Sequence, residues 1–227
     1  MSMSGRLQGH SQFLSAAEAG AIADHVARIE SRVGVQIVPA VVGKSDTYVE
    51  LPWKAFALGA SMAAFATVVA DAWRPDWITA GTALLHAVMI LAVGGASALL
   101  AVFLPSFGRL FLRATRRDLE VRHHAQSLFL TRELFRTRRR LGVLVLVSLF
   151  ERRIEILPDT GFHDRVSEGE WSAVIARMTP LLRQGRPFHA LQEALTALEA
   201  LLDAKGFGAA PSSGARLHDE PIEERGV

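Results

Sequence analysis

The run Ala55 to Ala70 carries no charged side chain, and it constrains the fold more than any other stretch of the chain. It is bracketed by Trp53 and Trp73, about the length that crosses a hydrocarbon core of roughly 30 Å at ~1.5 Å rise per residue. A second uncharged run, Trp77 to Leu104, closes at Leu104-Pro105, where proline ends or kinks a helix. Arg74-Pro75-Asp76 separate the two. In lipid every backbone amide must bond within its own helix, so the polar turn is the part that can lie in water. Residues 51–106 therefore read as a transmembrane helical hairpin with spans over 53–73 and 77–104. Trp53, Trp73 and Trp77 are expected at the membrane interfaces, where indole rings find both an apolar and a wet neighbour. Two buried core helices of a soluble protein are the alternative, for which the runs are too long.

The charge is segregated to match. Net charge is +2, but residues 107–153 hold twelve Arg against four acids, whereas residues 154–227 hold seven basic against twelve acidic side chains. Arg109, Arg113, Arg116, Arg117 and Arg122 follow the second span closely, in the window where positive charge is retained on the cytoplasmic side. The expected topology is two spans in a bacterial inner (cytoplasmic) membrane with both termini cytoplasmic. Those five arginines are candidates for contact with anionic lipid headgroups. The opening residues Met1 to Ser15 show no apolar signal-peptide core. With no cysteine, disulfide scaffolds, thiolate metal sites and cysteine nucleophiles are excluded.

The flanking segments pattern as α/β structure. Ser15 and Glu18 have capping-box spacing ahead of an amphipathic helix that Gly34 stops, and the β-branched run Val35 to Val42 follows. Beyond the hairpin, Phe107 to Arg138 reads as one long helix. Gly142 to Leu149 then has the continuous apolar character of a strand covered on both faces, and Arg153 to Leu157 alternates like its half-exposed hairpin partner. Helices over Glu168 or Glu170 to Arg183 and over Pro187 to Ala204 complete the pattern. The Gly, Ala, Pro and Ser content from Gly206 onward predicts a disordered tail. The strand before the hairpin and those after it cannot be buried separately, so they must complete one sheet. The expected organisation is a flexible N-terminus (1–13), a first part of the domain (14–50), the hairpin (51–106), a second part (107–205) and the tail (206–227).

The segments Gly34 to Val38, Arg138 to Leu149, Glu151 to Ile156 and Asp159 to Phe162 together resemble the TPM domain, the fold of thylakoid-lumen and Psb32-type proteins, in a bacterial membrane-protein form split by a hairpin. The resemblance spans about residues 14 to 204. It implies an α/β/α sandwich around a small mixed sheet. Because some members act as acid phosphatases and some bind a divalent cation, it also implies a metal-assisted phosphatase with Ca or Mg as cofactor. Glu151 and Asp159, converging at one sheet edge with Asp46 nearby, would be the candidate metal ligands. The sequence departs from that form at Phe150-Glu151-Arg152-Arg153, where guanidinium neighbours oppose a hard cation that wants several oxygens. On the competing reading, Asp159 is a turn residue and Glu151 pairs with an arginine.

Other features weigh less. His123-His124 point about 100° apart on a helix, which suits a solvated face better than one metal. His86, near the middle of the second span, is either a functional group or a neutral ring bonded within the hairpin. Clustered arginine would also serve nucleic acid, but the neighbouring span makes the membrane the simpler partner, and no nucleic acid is expected. No phosphate-binding loop, dinucleotide fingerprint, nucleophile elbow or zincin motif is present. No catalytic residue is assigned from sequence. The reading is an interaction or assembly module at the cytoplasmic membrane, with other membrane proteins or a second copy as partners and a metal-assisted phosphatase as the alternative.

Overall fold

The computed structural model describes residues 13–46, 48–73, 79–112, 114–137, 139–208 and 221–224. The chain divides into two compact units, one from residues 1–46 and 118–227 and the other from residues 47–117.

In the first unit, α1 (Ala16–Val33) opens on a complete capping box between Ser15 and Glu18, and Gly34 closes it in the left-handed region at φ 68°. The chain then enters β1 (Gln36–Val42). After the other unit, the sheet continues with β2 (Gly142–Ser148) and β3 (Arg153–Pro158). β1 lies parallel to β2, with Gln36 opposite Gly142 and Val42 opposite Ser148. β3 returns antiparallel, with Ser148 opposite Arg153 and Val143 opposite Pro158. The segments before and after residues 47–117 thus do complete one sheet.

The period-two alternation of strand side chains sorts this sheet into two cores. Ile37, Val41, Val143, Val145, Val147, Ile154 and Ile156 face α1, α6 (Glu168–Arg183) and α7 (Pro187–Ala204), and join Ile22, Val26, Trp171, Met178 and Leu191 in the larger core. Val38, Ala40, Val42, Leu144 and Leu146 face the other way, onto Val121, Ala125 and Leu128 of α5 (Ala114–Thr131). Helices on both faces explain why β2 is apolar at consecutive positions. A strand covered on one face only would alternate.

Two expectations need correction. The long helix expected over Phe107 to Arg138 is broken into α4 (Pro105–Gly108), a 3-10 turn at Arg109–Phe111, α5, and a second 3-10 turn at Leu134–Arg136. Leu112 is extended, and Glu133 takes a left-handed φ of 52°. The described residues of the tail expected to be disordered include a strand. Ile222–Glu224 form β4, parallel to β1 with Ala40 opposite Ile222, which completes the order β3-β2-β1-β4. The expected flexible N-terminus falls, up to residue 12, outside the described residues.

The second unit is built on α2 (Glu50–Trp73) and α3 (Ala80–Phe103), both long and apolar enough to cross a membrane. Their contacts run antiparallel. A side chain at Gly59 would meet Ser97, and one at Gly94 would meet the Phe56 ring at 2.8 Å, so the two helices approach closely through small residues. His86 is not at mid-span. It lies in the second turn of α3, with its Nδ1 3.4 Å from Asp71 Oδ2 near the end of α2.

Candidate functional site

Parallel β1 and β2 end side by side, and the crevice beyond the carboxyl ends of such strands is where open α/β sheets receive ligands. Here the polar side chains at that end, Ser45, Ser148 and Glu151, are buried. The ladder runs on past the strands, with Leu149 N–H donating to Val42 O at 3.0 Å and Phe150 N–H to Gly43 O at 2.9 Å. Arg152, at φ 50°, completes the tight turn into β3. The turn directs Glu151 inward, where only 1% of it is exposed.

Both carboxylate oxygens of Glu151 are engaged. Ser45 N–H donates to Oε1 at 3.0 Å, and the Ser148 hydroxyl donates to Oε2. The Ser45 hydroxyl donates in turn to Ser148 Oγ at 3.0 Å, and both serines are buried. A buried carboxylate is costly unless hydrogen bonds replace its hydration, and this relay supplies them. The pairing of Glu151 with an arginine expected from sequence is replaced by two serines. Ser148 is the one polar side chain in the Val and Leu run of β2, a signal sequence reading passed over.

Asp159 lies elsewhere. Because β3 is antiparallel to β2, Asp159 follows Pro158 at the start of β2, while Glu151 follows the end of β2, roughly 20 Å away at ~3.3 Å per residue. The expected convergence of Glu151 and Asp159 at one edge is therefore corrected. Asp159 is 5% exposed and caps a 3-10 turn by accepting the Thr160 N–H at 2.7 Å, with Arg140 Nε 3.8 Å from its second oxygen. That is the turn role. Asp46 lies just past the end of β1, on Glu151's side of the sheet. Among the described residues, no three His, Asp or Glu side chains gather to hold a metal. A hard cation needs several converging oxygens, and Glu151 and Asp159, at opposite ends of β2, do not converge on one.

Trp53 and Trp73 are exposed at 70% and 85%. They lie 20 residues apart along α2, ~30 Å at 1.5 Å per residue. Trp77 and Arg113 fall outside the described residues. Arg109 donates from Nε to Pro105 O at 3.1 Å, and Arg116 is held 2.8 Å from Glu50. Arg122 acts on Glu155 in β3. Burial raises the Glu155 carboxyl above the usual carboxylate range, opposed by Arg122 and Arg153. Arg153 is itself paired to Asp118 of α5 at 2.7 Å. At the start of α6, the Lys205 ammonium, 2.7 Å from Glu170, and the Ser167 cap together hold the Glu170 carboxyl down to about 2.

The class of molecule is thus a mixed α/β domain whose four-stranded sheet carries helices on both faces, together with a pair of long apolar helices. Residues 110–201 match the TPM domain family. The NMR structure of the BA42 protein from the psychrophilic bacterium Bizionia argentinensis is similar in fold, with a TM-score of 0.56 at 15% identity, over 96% of this chain and 99% of that one. No curated protein matches the sequence.

Proposed function

We propose that this chain is a membrane-anchored TPM-like protein acting as an interaction or assembly module at the bacterial cytoplasmic membrane, with both termini on the cytoplasmic side. One observation carries the anchor. The side chains of α2 and α3 include Leu58, Met62, Phe65, Leu84, Val88 and Leu91, all exposed, and only 11% of each apolar window is buried. Core helices of a soluble domain hide such residues, and an exposed apolar surface this continuous marks an interface with lipid or protein. The sheet supports the topology, since an insertion that leaves and re-enters one folded domain must cross the bilayer an even number of times. Arginines near the end of α3, Arg109 and Arg117 among them, would add attraction to anionic headgroups at about 1 kcal/mol each. The preference for interaction over catalysis rests on Glu151 being buried and hydrogen-bonded to Ser45 and Ser148 at the strand end. Other membrane proteins or a second copy are the partners this reading favours.

The absence of cysteine makes the topology directly testable. Single cysteines placed by Ser31→Cys and Thr79→Cys are labelled with an impermeant maleimide in intact spheroplasts. The expected result is labelling at Thr79→Cys from outside and at Ser31→Cys only after lysis. Labelling of both from outside would overturn the topology, and recovery of the chain in the soluble fraction would overturn the anchor. Co-purification from detergent then identifies what the module holds.

A further inference from the structure

The side of β1 turned away from β2 is buried, and its backbone hydrogen-bonding groups are unevenly used. Gln36 N–H donates to Leu141 O, and Val42 O accepts from Leu149 N–H, so the even-numbered residues of β1 turn their backbone groups toward β2. Alternation turns Ile37, Pro39 and Val41 outward. The Ile37 N–H is taken by Glu30 Oε1 at 2.8 Å, and Pro39 has no N–H to offer. Half of this edge is therefore blocked against strand addition, as natural edges commonly are. Val41 turns the remaining donor to this side, and β4 docks there, with Val41 opposite Glu223.

The docked segment is read by its side chains as well as its backbone. Ile222 packs on the core formed by Val38, Ala40, Val42 and α5. Glu223, on the opposite face, accepts the Phe13 backbone N–H through Oε2. Main-chain pairing supplies affinity and alternate side chains supply selectivity, which is the logic of peptide recognition by strand addition. We infer that the Val41 end of β1 is a peptide-binding site for an extended segment in which a branched apolar residue precedes an acidic one, occupied by this chain's own Ile222-Glu223 and open to exchange with a segment of the same form on a partner protein. Among the described residues, Ile222 to Glu224 pair with β1, and they are the intramolecular competitor for the site.

The test uses the full chain in detergent and a fluorescent peptide with the sequence of residues 217–227. Ile222→Asp in the chain releases its own strand. That variant is expected to bind the peptide saturably, and the unaltered chain at least about tenfold more weakly. Peptides carrying Ile222→Asp or Glu223→Gln are expected to lose most of the binding. Hydrogen exchange serves as the fold control, with the Val41 amide losing protection in the variant and Val143 to Val147 keeping theirs. If Ile222→Asp does not fold, the milder Glu223→Gln chain takes its place, with an expected affinity between the two. Absence of saturable binding to a folded variant would overturn the inference, as would equal binding to variant and unaltered chains.

Discussion

The Ser148 hydroxyl donates to the Glu151 carboxylate across three residues of sequence, at the point where β2 turns into β3, and both residues are buried. Ser148→Ala removes that donor and leaves Glu151 Oε2 buried without it, at an expected cost of ~1–3 kcal/mol. Glu151→Gln preserves volume and one acceptor, so its cost should be lower. The double variant should cost less than the sum of the two, since the groups form one network. Exchange of the Val143 to Val147 amides under native conditions measures all three. Additive costs would show that the relay is not a unit.

Two carboxyls should give the folded domain opposing pH signatures. Burial raises the Glu155 carboxyl, so its contribution is fully present below the ordinary value of about 4.5 and is lost as pH rises through the raised folded value. Glu155→Gln should therefore flatten a fall in stability on the neutral side of pH 4.5. The Glu170 carboxyl is held down to about 2 by Lys205 and Ser167. Its contribution is present above about 4.5 and is lost as pH falls toward 2. Glu170→Gln should remove that acid-side loss. Unfolding followed from pH 2 to 8 separates the two effects, and identical profiles for both variants would contradict these assignments.

Much of this architecture is legible in the residues themselves, and what is not has a physical cause. The Ser15 and Glu18 capping box and the apolar run from Gly142 onward mark α1 and β2, because both signals are local. Register is not local. Reading β3 as the hairpin partner of β2 already implied that Asp159 returns to the far edge, yet both carboxylates follow strands, and only pairing along the whole of β2 shows the separation. β4 escaped notice because three residues after a Gly- and Ser-rich stretch carry no periodicity. Pairing with β1, a contact remote in sequence, makes them a strand. The break at Leu112 and Glu133 is invisible to a pattern that weighs apolar spacing, since neither residue is a helix breaker.

Close approach between α2 and α3 depends on Gly94, where an added Cβ would lie 2.8 Å from the Phe56 ring. Gly94→Leu should force the ring or the helix aside, while Gly95→Leu, with nothing within 4 Å of the added Cβ, should be tolerated. Thermal unfolding in detergent is expected to drop for the first and to stay close to the parent for the second. Equal effects would mean that the two helices do not pack through Gly94.

The last prediction concerns Glu30, whose carboxylate takes the Ile37 N–H at 2.8 Å. Glu30→Ala leaves that outward donor of β1 without its partner. The edge would then carry an open N–H at Ile37, and an edge with a free donor is a template for pairing with another chain. The Ile37 amide should exchange faster in this variant, and stability should fall by ~1–2 kcal/mol if water replaces the carboxylate imperfectly. Self-association, followed by light scattering in detergent, should rise. Glu30→Gln retains an acceptor at the same reach and should restore most of the protection. If Glu30→Ala exchanges at Ile37 no faster than the parent chain, the carboxylate is not what guards this edge, and Pro39 alone interrupts it.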